Sequence, residues 1–427
     1  MSGGDLAGIL PEDSQTVRAI YDYWKKRGDT EPKRGYLGGS SIGEECERKL
    51  WYSFRDCSAP SFGGRLYRLF NRGHREEPTF VEELNGIGCE VHEVGPDGKQ
   101  FGISLFGGHF RGHCDGVALG IPEAPKTWHL LEMKTSNSKE FKKVKEKGVD
   151  VAKPVHFAQM QIYMSELKLT RALYMVVNKE TDEIYTERLR YDATYVGCLK
   201  DKAERIIFSA QPPERISDRA DAWVCKFCDA RELCHGLSDS AVPVPELSCR
   251  QCCHATPERD GSWSCAAGST YGTPCNKHLI LPYLVSFAKP TDSLRDECGH
   301  VIEFTSDDGT IWHHGNNANA GQFSSSDLLK TDKREILPRG YDVKHTDGST
   351  HPNIEYQWSL KHDGIIQVWK GEASQVAVKW TELIGGEMPK PNFTQETNDY
   401  TSADFESACV IIYKNHGLAE IRIDENQ

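Results

Sequence analysis

The feature that most constrains this chain is an acidic–apolar–basic step inside an apolar run. Glu132-Met133-Lys134 sits in KTWHLLEMKTS (126–136), seventeen residues after Asp115 in GHCDG. On a strand, the period of two places Glu132 and Lys134 on one face and turns Met133 into the core. Alone, such a pair is most often a solvated face, and Asp-Gly is most often a turn. Order, spacing and flanking residues are what add weight.

Those flanks describe an α/β chain. Val17, Ile20, Tyr21 and Trp24 fall at i, i+3, i+4 and i+7, which predicts a helix from Ser14 that Gly28 ends. Residues 41–56 predict a second helix capped by Ser40 or Ser41, and residues 64–86 a third. The texture then changes to Gly-rich turns and short apolar runs at 101–120 and 126–136, the pattern of adjacent strands. A basic helix is expected at 138–147 and another helix at 154–168. Strands at 171–179 and 183–191 and a helix at 194–210 follow. Helices, a sheet with charges in its middle, then helix, strand, strand, helix make an α/β core.

At 427 residues the chain has room for two or three domains. Residues 1–13 read as a mobile tail, 14–240 as the core domain, 241–285 as a Cys/His segment and 286–427 as a further domain. SAVPVPELS (240–248) reads as the linker. No apolar run approaches the roughly 20 residues of a membrane span, and no signal peptide is evident near Met1, so a reducing, cytoplasmic setting is expected. Fifteen cysteines in such a setting point to metal or iron–sulfur ligation rather than disulfides.

A net charge of −12 argues against a chain that coats itself on a polyanion. The acidity is local: residues 279–427 hold 13 basic against 23 acidic side chains, and residues 1–278 hold 38 against 40. A nearly neutral front part with basic runs can still hold phosphates, because metal ions offset its acids.

Cleaving a phosphodiester by in-line water attack needs one or two divalent cations. Mg²⁺ takes oxygen ligands and is usually held by one or two carboxylates. Asp115 and Glu132 offer such a set, with the Met133 carbonyl as a further ligand and Lys134 to orient or deprotonate water. Gln159 and Tyr163, at i and i+4 in HFAQMQIYM, share one helical face.

With its motifs in this order, the chain resembles the RecB-like branch of the PD-(D/E)XK nuclease superfamily, which includes AddB-type nuclease domains and CRISPR-associated exonucleases. The resemblance rests on a helical histidine in Gly73-His74-Arg75-Glu76-Glu77 and on G-x-x-D-G from Gly112 to Gly116. It continues with E-x-K at Glu132–Lys134 and Q-x-x-x-Y at Gln159–Tyr163, and covers roughly residues 38–236. It implies a restriction-endonuclease-like core in which His74, Asp115 and Glu132 bind Mg²⁺ or Mn²⁺ and Lys134 is the base or positioning group. Glu77, one turn from His74, is an alternative ligand. The basic run KEFKKVKEKG (139–148) is commonly just a solvated face; beside a nuclease site it reads as a phosphate grip.

Cys225, Cys228 and Cys234 follow a C-x-x-C-x5-C spacing and lack a fourth thiolate nearby; Cys46 stands far upstream in CERKLWY. In iron–sulfur members of the resembling branch, one cysteine before such a helix and three near the domain's end ligate a 4Fe–4S cluster. The resemblance implies that role for these four, a clasp between the chain ends, with zinc as the rival metal. Downstream, Cys249, Cys252, Cys253, His254, Cys265, Cys275 and His278 predict a zinc ribbon. The favoured ligands are Cys249, Cys252, Cys265 and Cys275, with His278 competing for the last place.

The acidic remainder, with Trp312, Trp358, Trp369 and Trp380, reads as a β-rich protein-interaction module rather than a DNA grip. The expectation is a Mg²⁺- or Mn²⁺-dependent DNA exonuclease in end processing, recombination or repair of a phage or mobile element. Its partners are DNA (single strands or duplex ends) and a protein bound through the C-terminal domain, with no membrane. A structure-specific endonuclease, or a DNA-binding assembly protein on a nuclease scaffold, are the alternatives.

Overall fold

A computed structural model describes residues 14–336 apart from 32, 59–61 and 307–308, and beyond them residues 374 and 377 and the strands 343–344, 350–351, 366–372, 393–396, 400–404, 408–413 and 418–424. The expected tail at 1–13, and Trp358 and Trp380, lie outside the described residues. The chain divides into two compact units: residues up to Leu237 with Val244–Leu284, and Ser238–Pro243 with Val285 onward.

The first unit opens with α1 (Gln15–Asp29), a short strand β1 (Leu37–Gly38), α2 (Glu47–Phe54) and α3 (Gly64–Gly86). Next come the strands β2 (Glu90–His92), β3 (Gly102–Leu105), β4 (Phe110–His113), β5 (Gly116–Leu119) and β6 (His129–Ser136). The helices α4 (Ser138–Lys147), α5 (Val149–Ala152) and α6 (Pro154–Glu166) lead into β7 (Arg171–Asn178) and β8 (Ile184–Arg190). The unit continues through α7 (Ala193–Phe208), α8 (Trp223–Lys226) and α9 (Arg231–His235) to a hairpin of β9 (Ala255–Pro257) and β10 (Trp263–Cys265).

Five strands form the central sheet in the order β2-β5-β6-β7-β8. Only β6 and β7 run parallel, as the helical crossover between them requires. The 101–120 region does not lie in one sheet: β3 and β4 join β1 in a separate three-stranded sheet, and the chain changes sheets at Cys114-Asp115. Helix α2 is also shorter than periodicity predicts. Gly39–Ser41 form a 3₁₀ turn and Cys46, not a serine, is the N-cap residue. The apolar residues that define α2, Leu50, Trp51, Tyr52 and Phe54, are all buried.

On the Met133 face, Leu131, Met133, Leu173, Met175 and Val177 pack with Phe80 and Leu84 of α3. On the other face Glu132 meets α6, whose residues from Ala158 to Met164 are all buried. Burying Met133 fully stabilises by about 2 kcal/mol, so the strand's register is firmly set.

The segment Val244–Leu284 is tied to this unit by buried arginines. Arg55 Nη1 donates to the carbonyls of Arg250 and Ala255 at 3.3 and 3.4 Å, and Arg250 Nη1 donates to the Phe54 carbonyl at 2.8 Å. Trp263 stacks on Phe54, and His109 bonds the Glu258 carbonyl at 3.0 Å.

In the second unit, Ala288–Asp296, Gly299–Ser306 and Ile311–His314 form an antiparallel sheet. Trp312 lies buried in it between Phe304 and Phe287 as a core residue. A five-stranded antiparallel sheet follows, ordered 366–372, 418–424, 408–413, 400–404, 393–396, and it contains Trp369. Among the described residues no helix is long and apolar enough to cross a membrane.

Candidate active site

The chain's change of sheet presents Asp115 beside β6. Its Oδ2 accepts the Met133 backbone N–H at 2.7 Å, so the aspartate is fixed to the strand that carries Glu132 and Lys134. Lys134 Nζ stands 2.6 Å from Glu132 Oε1 and 3.8 Å from Asp115 Oδ2, bridging the two acids. Gln159 on α6 donates from Nε2 to Glu132 Oε2 at 2.8 Å. The contact from Lys134 to Oε1 is an ion pair without hydrogen-bond geometry, so this buried oxygen accepts no hydrogen bond.

Electrostatics follow from depth. Glu132 is fully buried, and burial pushes its carboxyl up to about 7; Lys134 opposes the shift, and Asp115 and Glu77 add to it. Burial alone would lower the Lys134 ammonium, but Glu132 and Asp115 together hold it above its ordinary range. The acids therefore keep the lysine charged.

Tyr163, one turn after Gln159, is buried, and its ring occupies the space above Gly112 and Gly39. A Cβ on Gly112 would overlap the Tyr163 hydroxyl, which is the physical reason for the first glycine of G-x-x-D-G. Burial, then the nearby Glu132, keep the Tyr163 phenol protonated well above its usual range.

His74 is not drawn into this group. Its ring is 75% exposed, and its Nδ1 lies 3.2 Å from Glu77 Oε1. Glu77 is the α3 acid that senses the site: its carboxyl is raised by burial and then by Asp115, while His74 and Lys134 oppose the rise. The Met133 carbonyl, read above as a metal ligand, accepts from Lys134 Nζ at 3.1 Å.

Two neighbours escaped sequence reading. Tyr174 sits opposite Glu132 in the β6–β7 ladder and shares its face, and His156 Nδ1 bonds the Tyr174 hydroxyl at 3.1 Å. His156 is three residues before Gln159, a same-face helical spacing that could have signalled it. Tyr174 depends on strand register and carries no local signal.

No family model matches the chain, and no curated protein matches it. Among solved structures it is similar to LHK-Exo in complex with dAMP at 16% identity, over 43% of this chain and 90% of that one, with a TM-score of 0.31. The alkaline exonuclease LHK-Exo from Laribacter hongkongensis again shows 16% identity over 43% and 90%, with a TM-score of 0.29. SSO0001 shows 15% identity over 55% of this chain and 99% of that one, with a TM-score of 0.31.

Eight of the cysteines gather into two cavities. Cys46, Cys225, Cys228 and Cys234 line one, together with Arg48, Lys49, Arg215 and Arg231. Cys46 is the N-cap residue of α2 and Cys225 lies in α8, so the two ends of the unit meet here. Burial raises the Cys225 thiol, and Cys234 and Cys46 raise it further. Cys249, Cys252, Cys265 and Cys275 line the second cavity with His254 and His278. There Cys249 is raised by burial and feels Cys252, Cys275 and Cys265. The β9–β10 hairpin separates the first two of these cysteines from the last, and Cys265 ends it.

The fourteen cysteines from Cys46 to Cys298 form no disulfides. Among the described residues no three His, Cys, Asp or Glu side chains close into a ready metal cage. The donor chemistry nevertheless fits. Carboxylate oxygens, one of them buried without a hydrogen bond, suit a hard divalent ion, and each four-thiol set suits zinc or iron–sulfur.

Proposed function

We propose that this chain is a divalent-metal-dependent deoxyribonuclease that degrades DNA from an end. The observation that carries the reading is the Lys134 ammonium bridging Glu132 and Asp115, beside a third acid, Glu77. Glu132, Asp115 and Glu77 would hold Mg²⁺ or Mn²⁺, with His74 acting through Glu77. Bound there, the ion supplies Lewis acidity at the phosphate and a more acidic water.

The chain's own residues supply orientation and charge. Gln159 fixes one oxygen of Glu132 and leaves Oε1 facing Lys134. Lys134, held protonated, places positive charge where a phosphate oxygen becomes more negative. Tyr163 closes the space over Gly112 and Gly39.

In this reading Cys46, Cys225, Cys228 and Cys234 hold a 4Fe–4S cluster with a structural role, its negative charge offset by the arginines and lysine around the cavity. Cys249, Cys252, Cys265 and Cys275 hold zinc, and His278 is the competing ligand. Residues 14–240 act as the nuclease, 241–285 as its ribbon, and 286–427 as a protein-interaction module of a cytoplasmic DNA-processing enzyme.

The test is a nuclease assay with Mg²⁺ or Mn²⁺ on linear and covalently closed circular single-stranded DNA, with Lys134→Ala beside the wild type. Loss of linear DNA only, abolished in the variant, is the expected result. Cutting of circles would replace the exonuclease by an endonuclease. Undiminished cleavage by Lys134→Ala would remove the site assignment.

A further inference from the structure

Outside the carboxylate site, the first half of α3 carries a one-sided charge. From Gly64 to Arg75 the sequence GRLYRLFNRGHR holds four arginines and no acid. They stand at positions 65, 68, 72 and 75, offsets of three, four and three that place them on one stripe of a helix. All four are exposed. None forms an ion pair among the described residues; Arg72 Nη2 donates to the Lys179 carbonyl at 3.2 Å. Some other cations of this unit are paired, Lys25 with Asp29 and Lys153 with Glu140 among them. Like charges one turn apart cost a helix a few tenths of a kcal/mol each. No ion pair within the helix relieves this repulsion, although Glu76 stands one turn beyond Arg72.

Its direction separates it from the catalytic groups. At 100° per residue, Glu77 lies roughly 160° around the helix from the stripe's centre. The stripe spans about 15 Å along the axis, roughly four phosphate steps of one duplex strand at ~3.4 Å each. Its members are all arginines, whose planar forks suit phosphate oxygens. No aromatic side chain lies within it, so it offers unpaired bases nothing to stack on.

We propose that Arg65, Arg68, Arg72 and Arg75 form an outer track that grips the phosphodiester backbone of duplex DNA away from the cutting site. The identity of the polyanion rests on the nuclease reading; the track itself does not. The stripe holds the uncut duplex behind the end while Glu132 and Lys134 act on the strand that is hydrolysed.

The experiment measures binding of the full chain to a fluorescent duplex without added divalent ion, across a salt series. The variants are Arg65→Gln/Arg68→Gln/Arg72→Gln/Arg75→Gln and the matching all-lysine set, both checked by circular dichroism melts. The glutamine set should bind about 100-fold more weakly near 100 mM salt, and its log–log salt slope should fall by about 3 to 4. The lysine set should keep most of the slope. Unchanged affinity and slope in the glutamine set would overturn the track, as would arginine-dependent binding to phosphatidylserine vesicles with no binding to duplex. A wild type that binds duplex through the arginines yet cuts no DNA with Mg²⁺ would keep the track and remove the nuclease reading. A wild type that cuts DNA while the glutamine set binds normally would do the reverse.

Discussion

Glu132 and Lys134 stand two residues apart on one strand and meet Asp115 from seventeen residues upstream, whereas Cys46 meets Cys225, Cys228 and Cys234 across 179 or more residues of chain. The first site is local: strand period, one backbone hydrogen bond and one glutamine place its groups. The second exists only once the whole unit has closed, so anything bound there stabilises that closure. The carboxylate site should therefore tolerate loss of a member as a fold and fail as chemistry. The cysteine site should do the opposite.

Four measurements can break or sharpen this contrast. Glu132→Gln should lower DNA hydrolysis by about 10³-fold, equivalent to ~4 kcal/mol, while its melting temperature stays close to that of the wild type. A large drop in melting temperature would erase the distinction. Cys225→Ser should cost about 3 kcal/mol of stability and remove absorbance near 400 nm. Unchanged melting and spectrum would show that no clasp is present.

Gly112→Ala joins the two kinds of effect. Its Cβ would overlap the Tyr163 hydroxyl, so it should cost about 2 kcal/mol of stability and also slow hydrolysis through α6. Gly73→Ala is the control, because its Cβ would meet only Thr135 Oγ1 at 4.0 Å.

The smallest effect concerns acid. Burial, then Lys134 and Lys153, hold His156 down to about 3, so it stays neutral in the folded chain near pH 5, whereas the unfolded imidazole titrates near 6.5. A lowered histidine is fully stabilising above the unfolded value and loses its contribution as pH falls from 6.5 toward 3. His156→Gln should flatten the stability loss between pH 7 and pH 5 by about 1 kcal/mol, allowing for partial exposure. Parallel urea-melt curves for both proteins at the two pH values would contradict this.

Much of the frame around these sites was legible in advance. The helices 64–86 and 138–147 match α3 and α4, because amphipathic spacing and the Asn137 cap act within a few residues. Residues 41–56 misled: the helix itself begins only at Glu47 behind Cys46, and the preceding 3₁₀ turn Gly39–Ser41 has no serine side-chain cap. The Gly-rich stretch 101–120 reads as strand adjacent to 126–136, but only its last part, β5, pairs with β6, while β3 and β4 join a different sheet. That break is what exposes Asp115 beside β6.

By itself the sequence determined that Glu132, Lys134 and Asp115 could act together, because a strand's period and a turn's glycines are local rules. It also determined that α6 offers Gln159 and Tyr163 on one face. Only the tertiary structure decided that Glu77 senses Asp115 while His74 turns to solvent, since one turn of helix separates them and packing chooses the inward one. It alone set Tyr174 opposite Glu132 and brought Cys46 to the far cysteines. Those placements depend on register and chain closure, which are properties of the whole unit rather than of any window of residues.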